Sequence, residues 1–200
     1  LNKARDKAKQ ASCSGNLKQI GLANALYRGD YDDWLPVASN AGGIPAQWKM
    51  ELCTYMNIPT PTSMWNLVTD KKFGKGSAFG CQAFVRCQNS DYESQPGRYG
   101  GLGWTKRLYR EIDNNNPRQK ATRLKNLSTK AIAGDTIDYP GTATASNFCY
   151  LLPANQTYIP DITVGDRHND GLNILWGDNH VSWKTQMEMY NNPSKYYSLF

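Results

Sequence analysis

No stretch of about 18 consecutive apolar residues occurs in this 200-residue sequence, so it holds no membrane-spanning helix of its own. No Cys-x-x-Cys pair occurs either, and the only histidines are His168 and His180. A structural zinc site draws on four N/S ligands, usually closely spaced, so this pattern argues against one. Serine catalysis has no Gly-x-Ser-x-Gly elbow to stand on, and Gly74-Lys75-Gly76-Ser77 lacks the spacing of a phosphate loop. There is no internal repeat. No proline precedes Pro36, which leaves the first thirty or so positions free to run as one uninterrupted helix.

What is present fits one domain, residues 1–200, with a helical spine over 1–31 and a globular α+β part over 32–200. Many short runs punctuated by 17 Gly and 10 Pro follow the helix, which favours α+β over repeating βαβ units. The sequence opens on Leu1-Asn2-Lys3-Ala4-Arg5 with the helical pattern already running, and we expect a preceding segment to have been cut away. Five cysteines suggest disulfides in an oxidising compartment, with Cys81 to Cys87 the expected bridge because it would pin a short loop. Buried thiols are the plainer alternative. The net charge of +6 is spread over scattered Lys and Arg, which reads as a solvated basic face; no nucleic-acid partner is expected.

The first helix, about 45 Å long, separates into two stripes at about 100° per residue. Cys13, Leu17, Ile20, Asn24 and Tyr27 share the side suited to a sheet. Leu1, Ala4, Ala8, Ala11 and Gly15, continuing through Leu22 and Leu26, share the other, and a stripe of small residues lets another helix approach closely. At the far end, Gly171 to Trp183 reads as two strands joined by a two-residue Asp178-Asn179 turn. That turn sets Trp176 opposite Val181 and Ile174 opposite Trp183, with Leu172 on the same, core-facing side. Leu175, Asn173 and His180 then fall on the mixed outer side. Leu17, Ile20 and Tyr27 are expected to pack on the core-facing set. Ala83 to Cys87, Ala131 to Gly134 and Asn147 to Leu152 are candidate strands; Ala46 to Met56 and Ser63 to Val68 are candidate short helices.

Several of these segments resemble one family. They are Leu1 to Arg5, Cys13 to Ala23, then Tyr27, Asp30 and Pro36, and further on Phe84 to Cys87, Arg98-Tyr99-Gly100 and the Leu127 to Asp135 run that ends in Asp. The last is Arg167-His168-Asn169-Asp170-Gly171 followed by Asp178-Asn179-His180-Val181, with nine residues between His168 and Asp178. The pattern is similar to that of pilin-like proteins with a prepilin-type processing signal and a His-x9-Asp-Gly motif, related to type II secretion pseudopilins. Gln88 stands where that family has proline and Asn179 where it has glycine, and residues 37 to 80 carry hardly any of the likeness.

The resemblance implies a long helix packed on an antiparallel sheet and a hydrophobic N-terminal anchor matured by a prepilin peptidase. It also implies placement on the periplasmic or cell-surface side of the inner membrane, assembly with other pilin-like subunits, and no enzymatic activity. His168, Asp178 and Asn179 are then structural motif residues, since a strand of about 20 Å between His168 and Asp178 keeps them from acting on one atom. No cofactor or metal is expected; the subordinate reading is calcium, known in some pseudopilins, with Asp135, Asp138, Asp161 and Asp166 as oxygen donors. The competing class is an exported carbohydrate-binding module, suggested by 6 Trp and 12 Tyr, with Trp34, Trp48, Trp65 and Trp104 as stacking platforms.

Overall fold

The computed structural model describes residues 2–37, 46–84, 101–105, 119–136, 150–151 and 168–197. Helix α1 spans Asn2–Asp30, and its buried residues are Cys13, Leu17, Ile20, Gly21, Ala23, Asn24 and Tyr27, which is the stripe expected to face a sheet. It stops where Asp32 and Asp33 turn left-handed, at φ 49° and 63°. Arg28 secures the exit by pairing with Asp33 at 2.6 Å and donating to the Gly177 carbonyl at 3.1 Å. No described helix is long and apolar enough to cross a membrane.

The described strands are β1 (Leu102–Thr105), β2 (Ala131–Asp135), β3 (Tyr150–Leu151), β4 (Gly171–Trp176) and β5 (Val181–Thr185). They form one sheet in the order β3-β1-β2-β4-β5, antiparallel throughout except that short β3 runs parallel to β1. The architecture is α+β, as expected. β2 and the β3 region match candidate strands, whereas Ala83 and Phe84 are not in a strand and residues 85–87 lie outside the described residues.

The hairpin register is one residue off the expectation. Leu175 pairs with Val181, Ile174 with Ser182 and Asn173 with Trp183. The turn is a three-residue loop: Asn179 N donates to Trp176 O at 2.9 Å, Asn179 sits at φ 70°, and Trp176 N donates to His180 O at 3.0 Å. A type I turn followed by a left-handed residue adds one position relative to a two-residue turn, and a one-residue slip exchanges the faces of the partner strand. Val181 and Trp183 therefore side with Leu175 and Asn173, not with Ile174 and Trp176.

This slip corrects the packing expectation as well. α1 lies over the Leu175 face: Leu175 joins the cluster of Cys13, Leu17, Ile20, Ala23 and Tyr27, with Val181 packed against it. Leu172, Ile174 and Trp176 pack on the opposite side with Met189, Tyr196 and Tyr197. Those last residues come from two C-terminal helices, α4 (Gln186–Asn191) and α5 (Pro193–Tyr197). Thr185 caps α4 by accepting from Glu188 N at 3.1 Å, a Thr-x-x-Glu start that turns the chain straight from β5 into a helix. β4 is thus buried along its whole length on both faces.

Two short helices fill the space beside α1: α2 (Gln47–Leu52) and α3 (Met64–Thr69), the latter capped by Ser63, whose hydroxyl accepts from Asn66 N at 3.1 Å. Trp48 of α2 stacks on Trp104 of β1 at 5.3 Å between ring centres and meets Phe79 edge-on at 5.6 Å. These rings extend the α1 core across β1, so the region with least family likeness supplies much of its bulk.

Candidate functional site

The motif histidine is a core residue. Asn169 and Asp170 both adopt left-handed backbone, each at φ 56°, a conformation that Asn and Asp tolerate best among non-glycine residues. They swing the chain so that His168 points inward immediately before β4. Its carbonyl accepts from Trp183 Nε1 at 2.8 Å, and the Trp183 ring lies against Gly171, where a Cβ would come within 2.5 Å of it.

The His168 ring, 1% exposed, places Nε2 3.3 Å from Cys81 Sγ and 3.4 Å from Asp135 Oδ2. Its backbone stays local, His168 N donating to Gly171 O at 3.2 Å, while its ring is the meeting point of three segments distant in sequence. Asp135 ends β2, and its Oδ2 accepts from Asn173 N at 2.7 Å and from Asn173 Nδ2 at 3.1 Å. Cys81 follows a tight turn held to α1 by Asn16, whose amide donates to Ser77 O at 3.0 Å and Gly80 O at 2.8 Å.

Cys81 is joined to Cys13 in a disulfide across a sequence separation of 68. That corrects the expected Cys81 to Cys87 bridge, because a sulfur forms one such bond; Cys87 lies outside the described residues. Short spacing in sequence was the wrong guide here, since the Asn16 clamp brings position 81 against the helix. Cys13, Cys81, Asp135 and His168 are all buried, with ligand atoms all within 4.8 Å of one another. Counting ligands along the chain missed this convergence. The only hints in sequence were Cys13 on the inward stripe of α1 and Asp135 at the end of a strand.

Asp178 belongs elsewhere. Its Oδ1 accepts from His180 N at 3.2 Å and lies 2.6 Å from His180 Nδ1, and both side chains are exposed at the hairpin tip. The structure therefore keeps His168 and Asp178 in separate environments, one inside the core and one at the turn. Asn179 takes the left-handed place and its side chain accepts from Asn24 Nδ2 of α1 at 2.7 Å. Of the aspartates considered for calcium, Asp135 is buried in the cluster above, and Asp138, Asp161 and Asp166 lie outside the described residues.

On α1, residues 2–8 are exposed all the way round, so the first two turns stand clear of the body. Ala4, Ala8 and Ala11 are exposed and Gly15 is half-buried, with open space where its Cβ would be; Leu1 lies outside the described residues. Leu22 and Leu26 continue the stripe at 65% and 50% exposure.

The aromatic platforms do not assemble. Trp48 and Trp104 are buried against each other, which corrects their reading as sugar-stacking residues. Trp34 is half-buried beside the Lys120 ammonium and Trp65 is exposed. No protein-family model, curated protein or solved structure matches this chain.

Proposed function

We propose that the chain is the exported part of a non-enzymatic pilin-like subunit, anchored in the inner membrane by a segment preceding Leu1 and assembling with other such subunits through α1. The observation that carries this reading is the division of labour along α1. Its inward stripe is buried against the body, while Ala4, Ala8, Ala11, Leu22 and Leu26 of a second stripe are exposed, with Gly15 half-buried, and residues 2–8 are exposed on every side.

A helix whose solvent side carries Ala4, Ala8, Ala11 and Gly15 presents little side-chain bulk, so a second helix can approach its backbone and gain close van der Waals contact. Lys3, Arg5, Lys7 and Lys9 form a charged collar around the same turns, suited to the edge of a bilayer. Prepilin peptidase is the processing partner in this reading, and the body faces the periplasm or cell surface. The likeness of the His168 to Asp178 motif and of the helix to pseudopilins supports the same conclusion.

The test introduces Ala8→Trp and Ala11→Trp into the full-length precursor in its membrane. Cross-linking between subunits, or filament formation, should fall sharply, while the thermal melt of the 200-residue chain stays unchanged. Normal assembly with both bulky residues would remove this face from the mechanism.

A further inference from the structure

We propose that Cys13, Cys81, Asp135 and His168 form a redox-gated metal site: with both sulfurs reduced it takes one zinc-like divalent cation, and with the sulfurs joined it is closed. The donor set is two thiolates, one imidazole and one carboxylate, a combination suited to tetrahedral Zn²⁺.

The spacing agrees with that geometry. Zinc bonds of about 2.0 Å to N or O and about 2.3 Å to S imply tetrahedron edges of roughly 3.3–3.8 Å. His168 Nε2 already sits 3.3 Å from Cys81 Sγ and 3.4 Å from Asp135 Oδ2, and all four donors fall within 4.8 Å. Sulfurs sharing a zinc lie roughly 3.8 Å apart and sulfurs in a disulfide about 2.0 Å, so the two occupancies exclude each other with a small local movement.

The surroundings hold two of the four donors in place. Every donor is buried, and the His168 ring directs its polar contacts through Nε2 toward the cluster. Asn173 fixes the Asp135 carboxylate from behind through its backbone N and its side-chain amide, the role outer-sphere groups play around metal ligands.

Opening the site requires two electrons, supplied by a dithiol. One of its thiolates attacks a sulfur of the Cys13–Cys81 bond, its second thiol resolves the mixed disulfide, and the dithiol leaves as a cyclic disulfide. The protein keeps two thiols. Metal binding then releases their two protons and leaves His168 neutral, coordinating through Nε2.

The 200-residue chain is reduced with a dithiol, desalted without oxygen and titrated with Co²⁺ and then Zn²⁺. One Co²⁺ per chain should bind with thiolate charge-transfer and tetrahedral ligand-field absorption, and one Zn²⁺ should displace it. The oxidised chain should show neither band. Cys13→Ser and Asp135→Asn should weaken binding by about ten-fold or more. If reduction loosens the fold, as circular dichroism would report, adding Zn²⁺ should restore it. A reduced chain that shows no thiolate band, or that binds no more tightly than a Cys13→Ser, Cys81→Ser double variant, overturns the proposal, as does a reduced chain that zinc fails to refold.

Discussion

Asn24 of α1 donates its side-chain amide to the Asn179 side-chain oxygen at 2.7 Å, tying the helix to the hairpin tip across 155 positions of sequence. Asn179 thus does two things at once: it adopts φ 70° to close the turn and it accepts from the helix. Glycine would serve the first purpose only. Asn179→Gly is therefore expected to cost about 1 kcal/mol through the lost hydrogen bond, and Asn179→Ala about 2 kcal/mol because it also strains the left-handed position. Urea melts of both, with Asn24→Ala in each background, check this: Asn24→Ala should cost less once Asn179 is gone.

Gly21 and Gly15 lie on the same helix but should respond oppositely to alanine. A Cβ at Gly21 would sit 2.8 Å from Leu175 Cδ1 and 3.1 Å from the Asn179 carbonyl, whereas one at Gly15 meets nothing within 4 Å. Gly15→Ala should stabilise by about 0.5–1 kcal/mol through helix propensity. Gly21→Ala should lose that gain and more, for a net cost of about 1–2 kcal/mol from pushing α1 off β4. Thermal melts of the pair read the difference directly.

These two positions also show how much of the molecule was legible in sequence. Cys13, Leu17, Ile20, Asn24 and Tyr27 were readable as the inward stripe because a 3.6-residue period repeated over 29 residues leaves little choice of face. The hairpin was readable as a hairpin, yet its faces were not. A two-residue loop would need Asp178 as well as Asn179 in left-handed backbone; of the two only Asn179 is, and that difference decides where Val181 and Trp183 go. Strand β1 was missed because Gly101 and Gly103 dilute the pattern of its four residues. The Cys13, Cys81, Asp135 and His168 cluster was out of reach because each residue comes from a separate segment, and only the folded packing brings them together.

Glu188 gives the C-terminal helices a pH dependence. Hydrogen bonds from Lys184 at 2.8 Å and Tyr196 Oη at 2.7 Å hold its carboxyl below its ordinary value, with burial opposing them. A carboxyl depressed in the folded state adds stability that is present above its unfolded pKa of about 4.5 and is lost as pH falls through the lower folded value. Glu188→Gln should remove that acid-side slope. Because the side chain is 36% exposed and screened, the loss near neutral pH should stay below about 1 kcal/mol. Urea midpoints of both proteins, measured from pH 7 down to pH 3, should converge at the acid end.

The cysteines should separate by environment. Non-reducing peptide mapping of the oxidised chain is expected to recover Cys13 linked to Cys81 and no Cys81–Cys87 peptide. Cys53 is buried and free, its thiol pushed up to about 11 by burial against a smaller opposing pull from Lys49. It should resist a maleimide in the native chain and react once the chain is unfolded. Rapid native labelling at Cys53 would contradict that placement.

Leu22 and Leu26 test the assembly reading from the end of α1 that the alanine stripe does not reach. Eleven residues make just over three helical turns, so Leu22 stands over Ala11 and Leu26 over Gly15, in line with the small-residue stripe. At 65% and 50% exposure they leave apolar area in water that the fold of one chain does not use. Replacing both with Glu should therefore shift stability by no more than about 0.5 kcal/mol, the usual range for surface positions. In the full-length, membrane-anchored protein the same pair should reduce subunit cross-linking strongly, because a partner helix would have to bury two carboxylates without cations to meet them. A double variant that assembles normally would confine the interface to the Ala4 to Gly15 half, and one that unfolds would mean these leucines serve the core after all.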